Sequence, residues 1–266
     1  YLADCGIDVF LAANNHIFDK GKSGLERTLD IYRSLASSHG IHFTGAAGDR
    51  DEFRRTTPLV LNIKGIRAAF INATYGTNSP RGEGWPMVNI LKDRPMLEAA
   101  LLEAEEKADI SIVLVHWGEE YVTRHSQRQE DDAEWLAGHG ADVIIGAHPH
   151  VIQDTDTLEI EGRNVPVAYS IGNCISSMSA VNTQAGLMVT LEIVRQSNGD
   201  IRILAPEYRY TWCSRPGGFG NSYVVIPLTD YIGRKAEWKG VWDYDKMLAT
   251  YERLSKETGI IENYSK

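Results

Sequence analysis

A chain of 266 residues with 43% hydrophobic side chains is long enough to bury a sizeable core, which excludes a disordered segment or a miniature domain. The formal charge of -9 argues against a polyanion held by bulk electrostatics, so nucleic acid is not an expected partner and an anionic substrate would need metal ions or local arginines. Cys5, Cys174 and Cys213 are too few and too widely spaced for a disulfide framework, and no run approaches the roughly 20 apolar residues that span a bilayer.

The chain opens on a helical last turn closed by Gly6, followed by an apolar strand over 7–13. Leu25, Leu29, Tyr32 and Leu35 recur at a three-to-four spacing, which predicts an amphipathic helix over 22–38. A strand over 41–44 follows, then strands over 59–63 and 66–72 that flank Lys64-Gly65 as an antiparallel hairpin. Residues 74–94 are rich in Gly, Pro, Asn and Arg, the composition of a functional lid. A helix over 96–107, a β-branched strand over 110–115, a helix over 127–138 and a strand over 143–145 then read as a βαβ unit of buried parallel strands.

From 158 to 227 the pattern turns to strands, with hairpin signals at 161–164 and 197–200, and a helix over 244–255 follows. The expectation is one mixed α/β domain over 1–266, with 228–266 as its C-terminal helical extension and its natural start upstream of Tyr1. Cys174 reads as a small buried core residue, since its neighbours are apolar or small.

Three polar segments each follow a predicted buried strand, the place where open α/β sheets build ligand sites. They are Asn14-Asn15-His16-Ile17-Phe18-Asp19, His116-Trp117-Gly118-Glu119-Glu120-Tyr121 and Gly146-Ala147-His148-Pro149-His150, and they hold four of the eight histidines. His148 and His150 alternate across a segment stiffened by Pro149. They could present imidazoles to one or two ions with His116 as a third ligand, or they could be loop histidines bonded to carbonyls. Asn15 can offer a metal a neutral oxygen, and His16 can hydrogen-bond an attacking oxygen or protonate a leaving group. Asp19 either orients His16 or caps a helix that begins near Ser23, and one of Glu119 and Glu120 could orient a ligand or act as a base. Asn14, Trp117 and Asn173 are the candidate substrate contacts.

In order, Ala-Asn-Asn-His-x-x-Asp-x-Gly, His-Trp-Gly-x-Glu-Tyr, Gly-x-His-Pro-His-Val-x-Gln and Tyr-Ser-x-Gly-Asn resemble the CapA-type poly-gamma-glutamate capsule biosynthesis family, a branch of the calcineurin-like metallophosphoesterases. The resemblance runs from about Leu2 to Ser177. It implies an αββα sandwich with mixed β-sheets and a site for two divalent ions (Mn, Zn, Fe or Mg). Its metal ligands would be Asn15, His116, His148 and His150, with His16 assisting phosphoryl transfer and Glu120 preferred over Glu119 as a catalytic residue.

The family's Gly-Asp strand and Asn-Leu-Glu segment normally precede Asn-Asn-His, and neither is present in these 266 residues, so the carboxylates of the first metal would lie outside them. The implied function is phosphoester or acyl-phosphate hydrolysis in envelope polymer synthesis or export. The implied partners are an anionic polymer or phosphorylated substrate and membrane-bound capsule synthesis proteins, and the implied location is the cell envelope, exported or tethered. The alternative is a non-catalytic polymer-binding or scaffolding component of such a complex.

Overall fold

The computed structural model describes residues 1–263, a mixed α/β arrangement with several separate sheets. In chain order the elements are β1 (Val9–Leu11), α1 (Gly21–His39), β2 (His42–Thr44), β3 (Ala46–Ala47), α2 (Arg50–Thr56), β4 (Leu59–Ile63), β5 (Ile66–Thr74), β6 (Met87–Val88), α3 (Arg94–Lys107), β7 (Ile110–His116), α4 (Gln127–Gly138) and β8 (Val143–Ala147). They continue as β9 (Thr155–Ile160), β10 (Arg163–Ala168), β11 (Ala185–Thr190), β12 (Ile193–Arg195), β13 (Ile201–Ile203), β14 (Glu207–Ser214), β15 (Val224–Pro227) and α5 (Val241–Thr258). The chain divides into two compact units: Tyr1–Trp117 with Glu134–Ile144 and Glu159–Val165, and Gly118–Ala133 with Ile145–Leu158 and Pro166–Lys266.

In the first unit, α1 forms where the sequence spacing places it, because Leu25 and Leu29 share one face and both are fully buried. Each contributes about 2 kcal/mol by leaving water. They pack with Ala12, Phe18, Phe43 and Val88. Gly40 ends the helix in the left-handed conformation, φ 69°, and its N–H reaches the carbonyl of Ala36.

A six-stranded sheet has the order β4-β5-β7-β8-β10-β9, the last three entering this unit through Val143–Ile144 and Glu159–Val165. β4 and β5 form the antiparallel hairpin read from Lys64-Gly65, and β5 runs parallel to β7 with Thr74 opposite His116. That register sets the end of β5 beside the histidine.

Two elements depart from expectation. The strand expected over 7–13 shrinks to β1, pairs among the described residues only with β2, and leaves Ile7 and Leu11 exposed, so it is no buried central strand. α2 has no counterpart in the sequence reading, because seven residues are too few for helical periodicity to emerge. Its one local signal is Asp49, whose carboxylate accepts from the N–H of Glu52 at 2.8 Å; that bond holds the carboxyl below its ordinary range. The lid-like stretch is also anchored: β6 pairs with β3, and the Lys22 ammonium donates to the carbonyls of Glu83, Gly84 and Trp85.

In the second unit, β11, β14 and β15 form an antiparallel sheet, and β12 pairs with β13 across the turn read at 197–200. Tyr210, Trp212, Leu228, Met247 and Leu254 make the core under α5. No helix among the described residues is long and apolar enough to cross a membrane.

Candidate functional site

In the first unit the polar cluster is built at strand ends by one buried asparagine. Asn72 Oδ1 accepts from the N–H of Ala13 at 2.7 Å, and its Nδ2 donates to the carbonyl of Leu114 at 2.9 Å. Asn72 thereby ties the chain entering Asn14-Asn15-His16 to the strand ending at His116. Gly45 makes room for it: a Cβ there would sit 2.1 Å from Asn72 Oδ1, and its φ of +101° is itself a glycine conformation.

Asn15 is 3% exposed, and its Oδ1 lies 2.9 Å from Nε2 of His116. Asn15 Nδ2 donates to Asn78 Oδ1 at 3.3 Å, which leaves its Oδ1 facing the His116 ring. The N–H of Asn78 returns a bond to the Asn15 carbonyl at 2.7 Å. His16 is exposed, and its Nδ1 lies 2.7 Å from Asp19 Oδ2. The N-cap position of α1 is Lys20, with no side-chain cap. Of the two roles read for Asp19, the geometry realises the bond to His16. Asn14 bends the turn, its Oδ1 taking the N–H of His16 at 2.9 Å and its Nδ2 donating to the Ala12 carbonyl.

The second unit holds the other histidines in an uncommon backbone. His148 and His150 have φ of 104° and 60°, a region L-residues enter at a cost of about 1 to 3 kcal/mol each. Tyr121, at φ 68°, donates its N–H to the carbonyl of the intervening Pro149 at 2.8 Å, and its ring stacks 6.4 Å from that of His150. A hydrogen bond from the phenol to Glu120 holds the Tyr121 hydroxyl above its ordinary pKa. His150 Nδ1 lies 2.9 Å from Asn173 Oδ1, whose Nδ2 donates to the carbonyls of Thr183 and His150. Asn173 therefore orients an imidazole, a role the sequence reading did not give it.

Two expectations are corrected. Trp117 is 2% exposed and belongs to the core, so its indole is not available to a substrate; its position after a strand end resembled a site only in sequence. Cys174 is exposed and Cys213 is the buried thiol, because the Ser176 backbone folds over the sulfur of Cys213.

The structure brings Asn14, Asn15, His16, Asp19 and His116 together in one unit, and Glu120, His148, His150 and Asn173 together in the other. Asn15 Oδ1 and a neutral His116 Nε2 are donors of the kind a divalent ion takes. Among the described residues no three His, Cys, Asp or Glu side chains gather as a metal centre. Sequence reasoning missed Asn72 and Asn78, and it placed Tyr121 in a motif without giving it a role. Their partners lie 59, 63 and 28 positions away (Tyr121 to Pro149, 149 − 121), beyond any local pattern.

The model of a family described as "Bacterial capsule synthesis protein PGA_cap" matches residues 1–178. The chain is similar to "Capsule biosynthesis protein CapA" of Bacillus anthracis, 28% identical over 70% of this chain and 44% of that one. It is also similar to "PGA biosynthesis protein CapA" of Bacillus subtilis, 26% identical over 76% of this chain and 51% of that one. A "Probable polyglutamine synthesis accessory protein" of Mycobacterium tuberculosis is 26% identical over 64% of this chain and 45% of its own. The chain thus spans about half the length of the curated relatives it matches. A solved structure of a hypothetical protein from Thermus thermophilus aligns with a TM-score of 0.44 and 16% identity over 79% of each chain.

Proposed function

The chain belongs to the bacterial capsule synthesis family PGA_cap, and from that premise we propose that it serves in making or exporting an envelope polymer of the poly-gamma-glutamate type as a metal-dependent phosphoesterase-type hydrolase. The names of its relatives support the polymer and a place in the cell envelope. The observation that carries the chemistry is the paired geometry of the first unit, Asn15 Oδ1 against His116 Nε2 at 2.9 Å beside His16 Nδ1 against Asp19 Oδ2 at 2.7 Å.

Asn15 and His116 in the first unit and His148 and His150 in the second are the residues that would hold divalent ions. A bound ion supplies Lewis acidity at the phosphoryl oxygen and acidifies a water. The side chains do the rest. Asp19 fixes the His16 ring through Nδ1, which reserves Nε2 for the proton that the leaving oxygen takes up as the P–O bond breaks and water adds to phosphorus. Asn173 and Tyr121 hold the His150 ring from two sides, one by a hydrogen bond and one by stacking, so ligand orientation does not depend on the ion. The left-handed backbone at His148 and His150 is the kind of strain that a site retains for its geometry.

The substrate class is a phosphoester or acyl phosphate of an anionic polymer or its precursor, handled with membrane-bound synthesis proteins. The test is hydrolysis of an aryl phosphate with Mn2+ or Zn2+. We expect turnover that falls by about a hundredfold in His16→Ala while metal affinity is kept. Metal bound without turnover in either protein would replace the enzyme with a polymer-binding component.

A further inference from the structure

In the first unit a cavity of about 320 Å3 is lined by none of the residues discussed as ligands. Its apolar walls are Phe53, Trp85, Met87 and Met96, and Arg50 and Arg54 line the same space. The two aromatic rings stand 6.2 Å apart at 54°, leaving a wedge instead of closing on each other. Trp85 and Met87 remain 37% and 44% exposed, an unusual amount of large apolar surface for one concave place. The volume falls at the lower end of the range of small-ligand sites, about 300 to 1,000 Å3.

Charge points to the occupant. Arg50 and Arg54 lie one turn apart on α2 and so present both guanidiniums to one side. Among the described residues no carboxylate lies within ion-pair distance of Arg50, and the partner of Arg54 is the exposed Asp51 at 3.5 Å, a weak surface pair. Asp93, the acid in the lining, is engaged at the start of α3, where it accepts from the N–H of Met96. A cationic rim over an apolar wedge, in a chain of net charge -9, is a local reversal of the protein's overall sign. The wall is also pre-formed, since Lys22 fastens the carbonyls of Glu83, Gly84 and Trp85.

We propose that this cavity binds a small anionic amphiphile. Its short acyl or aromatic body lies between Phe53, Trp85, Met87 and Met96, and its carboxylate or phosphate head meets Arg50 and Arg54. Guanidinium forks match both head groups bidentately, and thioethers adapt to an irregular apolar body. This site is independent of metal binding and of hydrolysis.

The test is calorimetric titration of the full chain with decyl phosphate, decanoate, neutral decyl maltoside and inorganic phosphate, each below its micelle concentration. The expected result is saturable binding of decyl phosphate, with the neutral detergent and inorganic phosphate weaker by about tenfold or more. Equal binding of decanoate identifies a general anionic head, and its failure identifies a phosphate head. Arg50→Gln with Arg54→Gln should weaken decyl phosphate by about tenfold, and Met87→Glu should abolish it, with thermal unfolding unchanged at these surface positions. No binding of either anionic chain, equal binding of the maltoside, or unchanged affinity in the double arginine variant would overturn the proposal.

Discussion

Nε2 of His116 lies 2.9 Å from Oδ1 of Asn15, a contact that joins two residues 101 positions apart. Neither residue arranges this contact. Asn72 does, by bonding Ala13 on one side and Leu114 on the other. Asn72→Ala should leave the buried Ala13 N–H and the part-buried Leu114 carbonyl without this partner and destabilise the fold by about 2 kcal/mol or more. Gly45→Ala should do the same by steric means, because its Cβ would meet Asn72 Oδ1 at 2.1 Å. Chemical denaturation measures both. A loss under about 0.5 kcal/mol in either would show that Asn72 does not organise the cluster.

The Lys22 strap makes a prediction about motion. Lys22→Met keeps the aliphatic stem and removes the three bonds to the carbonyls of Glu83, Gly84 and Trp85. Arg81 is exposed in the same loop. Tryptic cleavage after Arg81 should speed up by about fivefold or more in the variant, since local opening sets the rate at such sites. Unchanged cleavage would mean that the β3–β6 pairing alone holds the segment.

In the second unit a buried carboxylate organises the core. Asp243 is 0% exposed and accepts from Ser214 Oγ at 2.5 Å, Trp212 Nε1 at 3.3 Å and Gln184 Nε2 at 3.4 Å. Asp243→Ala strands the Ser214 hydroxyl and the Trp212 indole N–H, while Gln184 Nε2 keeps the Cys213 carbonyl, and should cost about 3 kcal/mol or more in urea unfolding. Gly218→Ala should also destabilise, because its Cβ would fall 2.2 Å from Asp243 Oδ2. Wild-type stability in both would contradict the role given to Asp243.

Tyr210 supplies an alkaline signature. Burial pushes its hydroxyl up to about 12 from 10.0, while the hydroxyl bonds Thr258 Oγ1 and donates to the Ile260 carbonyl. A raised acidic pKa means that the folded state holds its proton longer than the unfolded chain. The stability is therefore present below the unfolded value of 10.0 and is lost as pH rises through about 12. The loss should approach about 3 kcal/mol across that window. Tyr210→Phe should be less stable at neutral pH by about 1 kcal/mol yet show a shallower alkaline decline. Parallel pH profiles for the two proteins would contradict this.

Much of this was legible in the sequence where signals are local and periodic. α1 follows from Leu25 and Leu29 on one face, β4 and β5 from Lys64-Gly65, and β12 and β13 from the turn at 197–200. The proximity of Asp19 to His16 was legible because three residues separate them. What was not legible depends on distant pairing. Asn72 looks like an ordinary strand residue until β5 sets it between Ala13 and Leu114. Tyr121 acquires meaning only from the Pro149 carbonyl and the His150 ring. Trp117 misled because its place after a strand carries no information about which way the indole turns.

The central claim is that Asn15, His116, His148 and His150 hold divalent ions. The direct measurement is calorimetric titration of the folded chain with Zn2+ and Mn2+, repeated on His116→Ala and His148→Ala after circular dichroism confirms that both fold. The account predicts saturable binding in the wild type that weakens by about tenfold or more in each variant. No saturable binding in the wild type, or wild-type affinity in both variants, would contradict it.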